Sequence, residues 1–293
     1  MSNVKKKRWG DRKEGRLVRG VEPLNKFEPF IMIERNDSTN YYEGSFGIEK
    51  TEKYIRRKRE DGLKGFGMMH VFIASYIRTV SQHPALNRFV SGQRIYKRNN
   101  IQVVLTVKRQ MRADAPETTI KVEFEPTDTA LDVYRKMSDS INFIKHGEED
   151  NNTEKVAAAL MKIPRVILKF AVRVIKIMDY FDLLPASLLA ASPFHGSMII
   201  TNLGSLGIQP IYHHLYNFGN LPVFVAFGSK RRCAELQDDG TVAVKRYVDF
   251  KCTLDERICD GYYYARAFKT MKHLMSNPAE LDNPPETVLE DID

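Results

Sequence analysis

The stretch Leu254–Met275, LDERICDGYYYARAFKTMKHLM, most restricts what this 293-residue chain can fold into. The alternating run before it, TVAVKRYVDFKCTL, predicts a long strand. Asp260-Gly261 predicts a tight turn, and the aromatic-rich segment that follows predicts a helix. A strand, a corner and a helix in direct succession place three carboxylates, Asp255, Glu256 and Asp260, where the chain changes direction. Cys259 lies within the corner and reads as a packed thiol rather than a nucleophile.

The rest of the chain supplies strands and helices in mixed order. Residues 1–20 read as a basic N-terminal tail with Trp9, the only tryptophan. An irregular arm follows, with Pro23 and Pro29 and short strands expected at 30–34 and 45–49. Residues 51–61 predict a charged helix broken by GLKGFG. MMHVFIASYIRTVSQHP carries apolar residues at helical spacing and stops at Pro84. Two strands are expected near 92–98 and 101–109, and TTIKVEFEP alternates as a third. Thr127 or Asp128 is the expected cap of the next helix, DTALDVYRKMSDSINFIK. His146–Glu154 reads as a loop. MIIT, ending in Asn202-Leu203-Gly204, and PVFVAFG predict two further strands, and Asp238–Gly240 predicts a hairpin turn. With no internal repeat or low-complexity linker, one domain spanning 21–280 is expected, followed by an acidic C-terminal tail at 281–293.

Several of these segments resemble one family. DERICDG resembles the HHxxxDG and DHRxxDG motif of the chloramphenicol acetyltransferase superfamily, which includes the dihydrolipoamide acyltransferase cores of 2-oxoacid dehydrogenases. The helix leading into P-A-L-N-R at 84–88, and the strand ending in T-N-L-G at 201–204, are similar to segments of the same cores. The resemblance runs from about residue 20 to 135 and from 192 to 275, and it passes over 155–191. It implies an α/β chloramphenicol-acetyltransferase-like sandwich, with a mixed β-sheet flanked by helices, assembling as a homotrimer. A stand-alone relative without lipoyl and peripheral-subunit-binding domains is expected.

What the resemblance implies for chemistry is acyl transfer from coenzyme A at a channel between subunits. Thr201 matches the hydroxyl that stabilises the oxyanion, beside Asn202. Asp260 and Gly261 match the structural Asp-Gly pair, and Asp255 and Arg257 match the Asp and Arg of DHRxxDG. Glu256 stands at the position of the general-base histidine. A free Glu titrates near about 4.3 and a thiol near about 8.5, so proton transfer to Glu256 is uphill by about 5–6 kcal/mol, against about 3 kcal/mol for a histidine. Burial can raise a Glu by several units. His213 and His214, in the loop after TNLG, and His195 are alternative bases, each more readily read as structural. Two functions follow: a CoA-dependent acyltransferase with an unidentified acyl acceptor, or a non-catalytic homologue that binds a ligand or partner.

Composition narrows the remaining classes. The net charge of +8 is local, in Lys5–Arg8, Arg56–Arg59 and a basic helix, and admits a polyanion without selecting one. No nucleic-acid-binding module accompanies it, so no nucleic-acid partner is expected. Phosphate-loop, dinucleotide, nucleophile-elbow and HExxH motifs are absent. Three cysteines, Cys233, Cys252 and Cys259, have no zinc or disulfide spacing; with no signal peptide, they predict a cytoplasmic protein without a metal. In RVILKFAVRVIKIMDYF, Arg165, Lys169, Arg173 and Lys176 fall on one stripe of a helix. Packing on the domain with solvated cations is the first reading, and contact with an anionic membrane the second.

Overall fold

The computed structural model describes residues 7–108, 117–146 and 162–293. The loop expected at 146–154 lies almost wholly outside them. A six-stranded mixed sheet forms the centre, in the order β2 (Thr39–Gly47), β9 (Val242–Asp255), β8 (Val223–Leu236), β7 (Met198–Asn202), β5 (Ile101–Lys108) and β6 (Glu117–Phe124). β7 runs parallel to both neighbours, and the other pairings are antiparallel. A smaller antiparallel sheet has the order β1 (Gly15–Leu17), β4 (Arg94–Arg98) and β3 (Arg88–Ser91).

Alternation along the strands gives the large sheet two different faces. Val103, Met198, Ile200, Val225, Phe250 and Leu254 point to one side and join the main core. That side is covered by α2 (Glu49–Glu60), α3 (Met68–Gln82), α4 (Ala130–His146) and α7 (Gly261–Ser276). α3 is the central helix: every residue from Val71 to Ser81 is buried. Its first turn is closed by His70, whose Nδ1 accepts from the Gly67 N–H at 3.0 Å. The opposite side of the sheet holds a small cluster, Val104, Ile199, Leu215, Leu221 and Phe224, roofed by the loop after β7.

The expected elements from α2 onward are present, with local corrections. Thr129, not Thr127 or Asp128, caps α4: its Oγ1 accepts from the Asp132 N–H at 3.3 Å, and Asp132 Oδ2 accepts from the Thr129 N–H at 3.0 Å. This reciprocal pair satisfies two helix-end donors. The strand expected at 30–34 does not form: residues 30–31 end α1 (Pro23–Ile31), and 32–34 carry no regular structure. Pro23 suits a first helical position, because its missing N–H would have had no partner there.

Neither end of the described chain is a free tail. Asp11 and Arg12 are buried, and Gly15–Leu17 pairs with β4. At the C-terminus, the Leu289 N–H donates to Ser81 O at 2.9 Å, and Asp291 receives both Nε and Nη2 of Arg88 at 2.7 and 2.6 Å.

Candidate active site

The end of β9 fixes the motif. Asp255 is fully buried and receives Arg257 side-on, Nε to Oδ1 at 2.8 Å and Nη2 to Oδ2 at 2.7 Å. Ser38 Oγ donates to the same carboxylate at 3.0 Å. Arg257 Nη1 spans to Met32 O at 2.8 Å and Ile33 O at 3.1 Å, tying the motif to the exit of α1. Tyr264 Oη donates back to Asp255 O at 2.9 Å. Charged groups this deep are stable only when paired and fully bonded. Asp255 and Arg257 therefore brace the end of β9, and half-buried Glu256 lies between them on a short 3-10 turn.

The P-A-L-N-R turn supports the same corner. Arg88 Nη1 donates to Ile258 O at 3.2 Å, and the Ala85 N–H donates to Tyr263 Oη at 3.0 Å. Asp260 is exposed and caps α7, its Oδ1 accepting from the Tyr263 N–H at 2.7 Å. In this chain its role is helix capping, and Arg257 goes to Asp255 instead. Asp260-Gly261 is thus a helix entry rather than a tight turn. Cys259 is buried, and burial pushes its thiol well up, as a packed thiol requires.

Glu28, on α1, was not visible in the sequence as part of this corner. Burial raises its pKa, and the charges of Glu256 and Asp260 add to the shift. Only tertiary packing brings α1 to Glu256 from the far end of the chain, so no local pattern could announce the contact.

Thr201 lies at the end of β7 with its side chain on the roofed side of the sheet, partly exposed. Gly204, three residues on, must be glycine because a Cβ there would stand 2.5 Å from Gly228 O. Asn202 closes the turn, its Oδ1 accepting from the Ser205 N–H at 3.1 Å. Thr201 aligns across the sheet with Ala226 and Lys251. Glu256 is five residues beyond Lys251 and two strands away from Thr201, a separation of about 20 Å at ordinary strand spacings. One chain therefore does not bring Thr201 and Glu256 to a common reacting atom.

Each of the alternative histidines packs within its own surround, and His213 Nε2 is buried without a hydrogen-bond partner among the described residues. His213 stacks on Phe224 with ring centroids 4.3 Å apart, and burial followed by the neighbouring His214 lowers its pKa. His214 packs edge-on against Tyr216. His195 is buried, with Nδ1 2.8 Å from Ser192 Oγ and Nε2 3.3 Å from Asp179 Oδ1. Among the described residues no group of three or more His, Cys, Asp or Glu side chains could hold a metal ion.

The architecture recurs in solved structures. A probable dihydrolipoamide acetyltransferase of Listeria monocytogenes superposes with a TM-score of 0.57 at 14% identity, covering 88% of this chain and 93% of that one. The dihydrolipoamide acetyltransferase of Azotobacter vinelandii gives 0.58 at 12% identity, covering 93% and 95%. Chloramphenicol acetyltransferase gives 0.50 at 10% identity, covering 87% and 96%. The fold is that of the chloramphenicol-acetyltransferase-like acyltransferases. Within it, residues 174–282 match the model of the 2-oxoacid dehydrogenases acyltransferase catalytic domain. That span includes Thr201 and the whole DERICDG corner. No relative is found among curated protein sequences.

Proposed function

We propose that the protein is a CoA-dependent acyltransferase whose site forms between neighbouring copies, with Thr201 from one copy and Glu256 from the next. The observation that carries the reading is their placement. Each is presented at an accessible end of a strand by a rigid surround, and the two stand too far apart to act within one chain. A chain of the same fold forms the cubic core of a pyruvate dehydrogenase complex, and the resemblance implies a trimer, in which the two halves would meet. A groove of about 450 Å³ is lined by Gln209, Pro210, Arg231 and Lys251 among others, with Arg231 paired to Asp249 at 2.6 Å and Lys251 to Glu43 at 3.6 Å.

In this mechanism Glu256 takes the proton of the acceptor thiol or hydroxyl as its sulfur or oxygen attacks the thioester carbonyl carbon. The Thr201 hydroxyl donates to the oxyanion that forms. Collapse of the tetrahedral intermediate breaks the carbon–sulfur bond, and the CoA thiolate leaves with the proton from Glu256. Asp255 and Arg257 position Glu256 without touching substrate.

The second reading is a ligand-binding homologue without turnover. It is favoured by the carboxylate at Glu256, where the resembled enzymes place an imidazole. Incubation with a panel of acyl-CoAs and acceptors, following thiol release, separates the two. Turnover lost in Glu256→Gln supports the enzyme. Thermal protection by CoA without turnover supports the binder, and neither response removes both.

A further inference from the structure

α5 (Arg165–Tyr180) presents a face that the fold does not use. Leu168, Ala171, Ile175 and Met178, spaced by three and four, are its half-buried side, and Asp179 is its one buried residue. At 100° per residue, Arg165, Lys169, Arg173 and Lys176 form one outward arc. Val166, Ile167, Phe170, Val174 and Ile177 form a second arc beside it, with Val166 80% and Phe170 68% exposed. The first reading of this helix, packing with only its cations in solvent, accounts for one stripe and leaves this second apolar arc open.

The orientation is fixed by the helix's C-terminal end. Arg12 Nη2 lies 3.3 Å from Asp179 Oδ1, Arg12 Nη1 donates to Tyr180 O at 3.2 Å, and Tyr180 Oη donates to Gln93 Oε1 at 2.7 Å. Apolar exposure continues past the helix at Phe181 and Leu183. It also continues across a shared cavity, where Ile33, after α1, faces Lys176 and Tyr180. Apolar surface of this extent on a folded chain marks an interaction site.

We propose that α5 lies flat in the interface of an anionic lipid bilayer, its apolar arc in the acyl-chain boundary and its cations among the headgroups. Charge selects this occupant. No acidic residue occurs from Lys162 to Met178, so a two-fold contact of this face with a second copy would press four cations against four. Anionic headgroups neutralise them instead, and the adjacent arc enters the membrane as an interfacial helix does. No helix among the described residues is long and apolar enough to cross a membrane, so the contact is one of lying on the surface. Arg165, Val166, Ile167, Lys169, Phe170 and Arg173 precede the family-matched residues 174–282, whereas Val174, Lys176 and Ile177 fall within them.

The test is flotation of the full chain with phosphatidylcholine vesicles, with and without phosphatidylserine, at low and high salt. Binding is expected only with phosphatidylserine, and salt weakens it. Combined Arg165→Gln, Lys169→Gln, Arg173→Gln and Lys176→Gln lowers partitioning at least about 100-fold, since each surface cation contributes roughly fivefold. Phe170→Ser with Ile177→Ser also abolishes flotation. Both sets are exposed, and unchanged thermal melting confirms that the fold persists. No flotation on phosphatidylserine at low salt overturns the proposal, as does flotation that neither variant weakens. A smaller assembly for Phe170→Ser with Ile177→Ser, in a wild type that does not float, assigns the face to self-association and overturns it likewise.

Discussion

Arg257 closes on Asp255 through two parallel hydrogen bonds of 2.8 and 2.7 Å, with both side chains buried. Removing one partner of such a pair leaves the other charge buried without compensation, at a cost of about 3–5 kcal/mol. Asp255→Asn is therefore expected to lower unfolding free energy by that amount, read by urea denaturation. Asp255→Asn with Arg257→Met removes both charges and is expected to regain part of the loss. If the two single-residue effects simply add, the pair is not coupled.

Glu256 and Thr201 carry the proposed chemistry, and their removal should leave different signatures. Glu256→Gln is expected to lower kcat by about 10²–10⁴-fold, the range for a lost general base. Glu256→His should retain activity and shift its acidic limb towards neutral pH, near the ordinary histidine value of about 6.5. Thr201→Val is expected to lower kcat by about 10²–10³-fold with KM for acyl-CoA little changed, because the oxyanion exists only beyond the ground state. Mixing Thr201→Val with Glu256→Gln and finding restored turnover in hybrid assemblies would show that the two residues act from different copies.

Glu28 gives a pH-dependent expectation. Burial, and then the charges of Glu256 and Asp260, hold its carboxyl above the usual carboxylate value. A group raised in the folded state contributes stability that is full below its unfolded pKa and is lost as pH rises through the folded value. Glu28→Gln should therefore be more stable than the parent at neutral pH, by roughly 0.5 kcal/mol after screening at this half-buried site. The difference should vanish below about pH 4, where both side chains are uncharged. Paired thermal melts across that range read it.

Much of the fold was legible because periodicity and motif agreed. The long β9 strand, the α3 stripe ending at Pro84 and the TNLG strand all carry local patterns that packing then uses. Pro23 and Pro29 have the look of helix breakers in sequence, whereas one opens α1 and the other is buried within it. The site was legible by residue type and less so by arrangement. Asp255 and Arg257 are neighbours in sequence, so their pairing is local. Glu28 and the separation of Thr201 from Glu256 depend on strand order and on α1 packing, which no window of sequence contains.

The docking of α5 supplies the last expectation. Burial alone would raise the Asp179 carboxyl, but the His195 hydrogen bond, then the charges of His195, Arg12 and Arg35, hold it below the usual carboxylate value. A depressed carboxyl contributes stability present above the unfolded pKa and lost as pH falls through the folded one. Asp179→Asn should thus destabilise the protein at neutral pH by about 3 kcal/mol, because Arg12 loses a buried partner and retains more distant ones at Glu14 and Asp182. The same substitution should raise amide exchange along α5 first, since Asp179 is the helix's one buried residue. Loss of stability without faster exchange in α5 would place the effect in the core rather than at this junction.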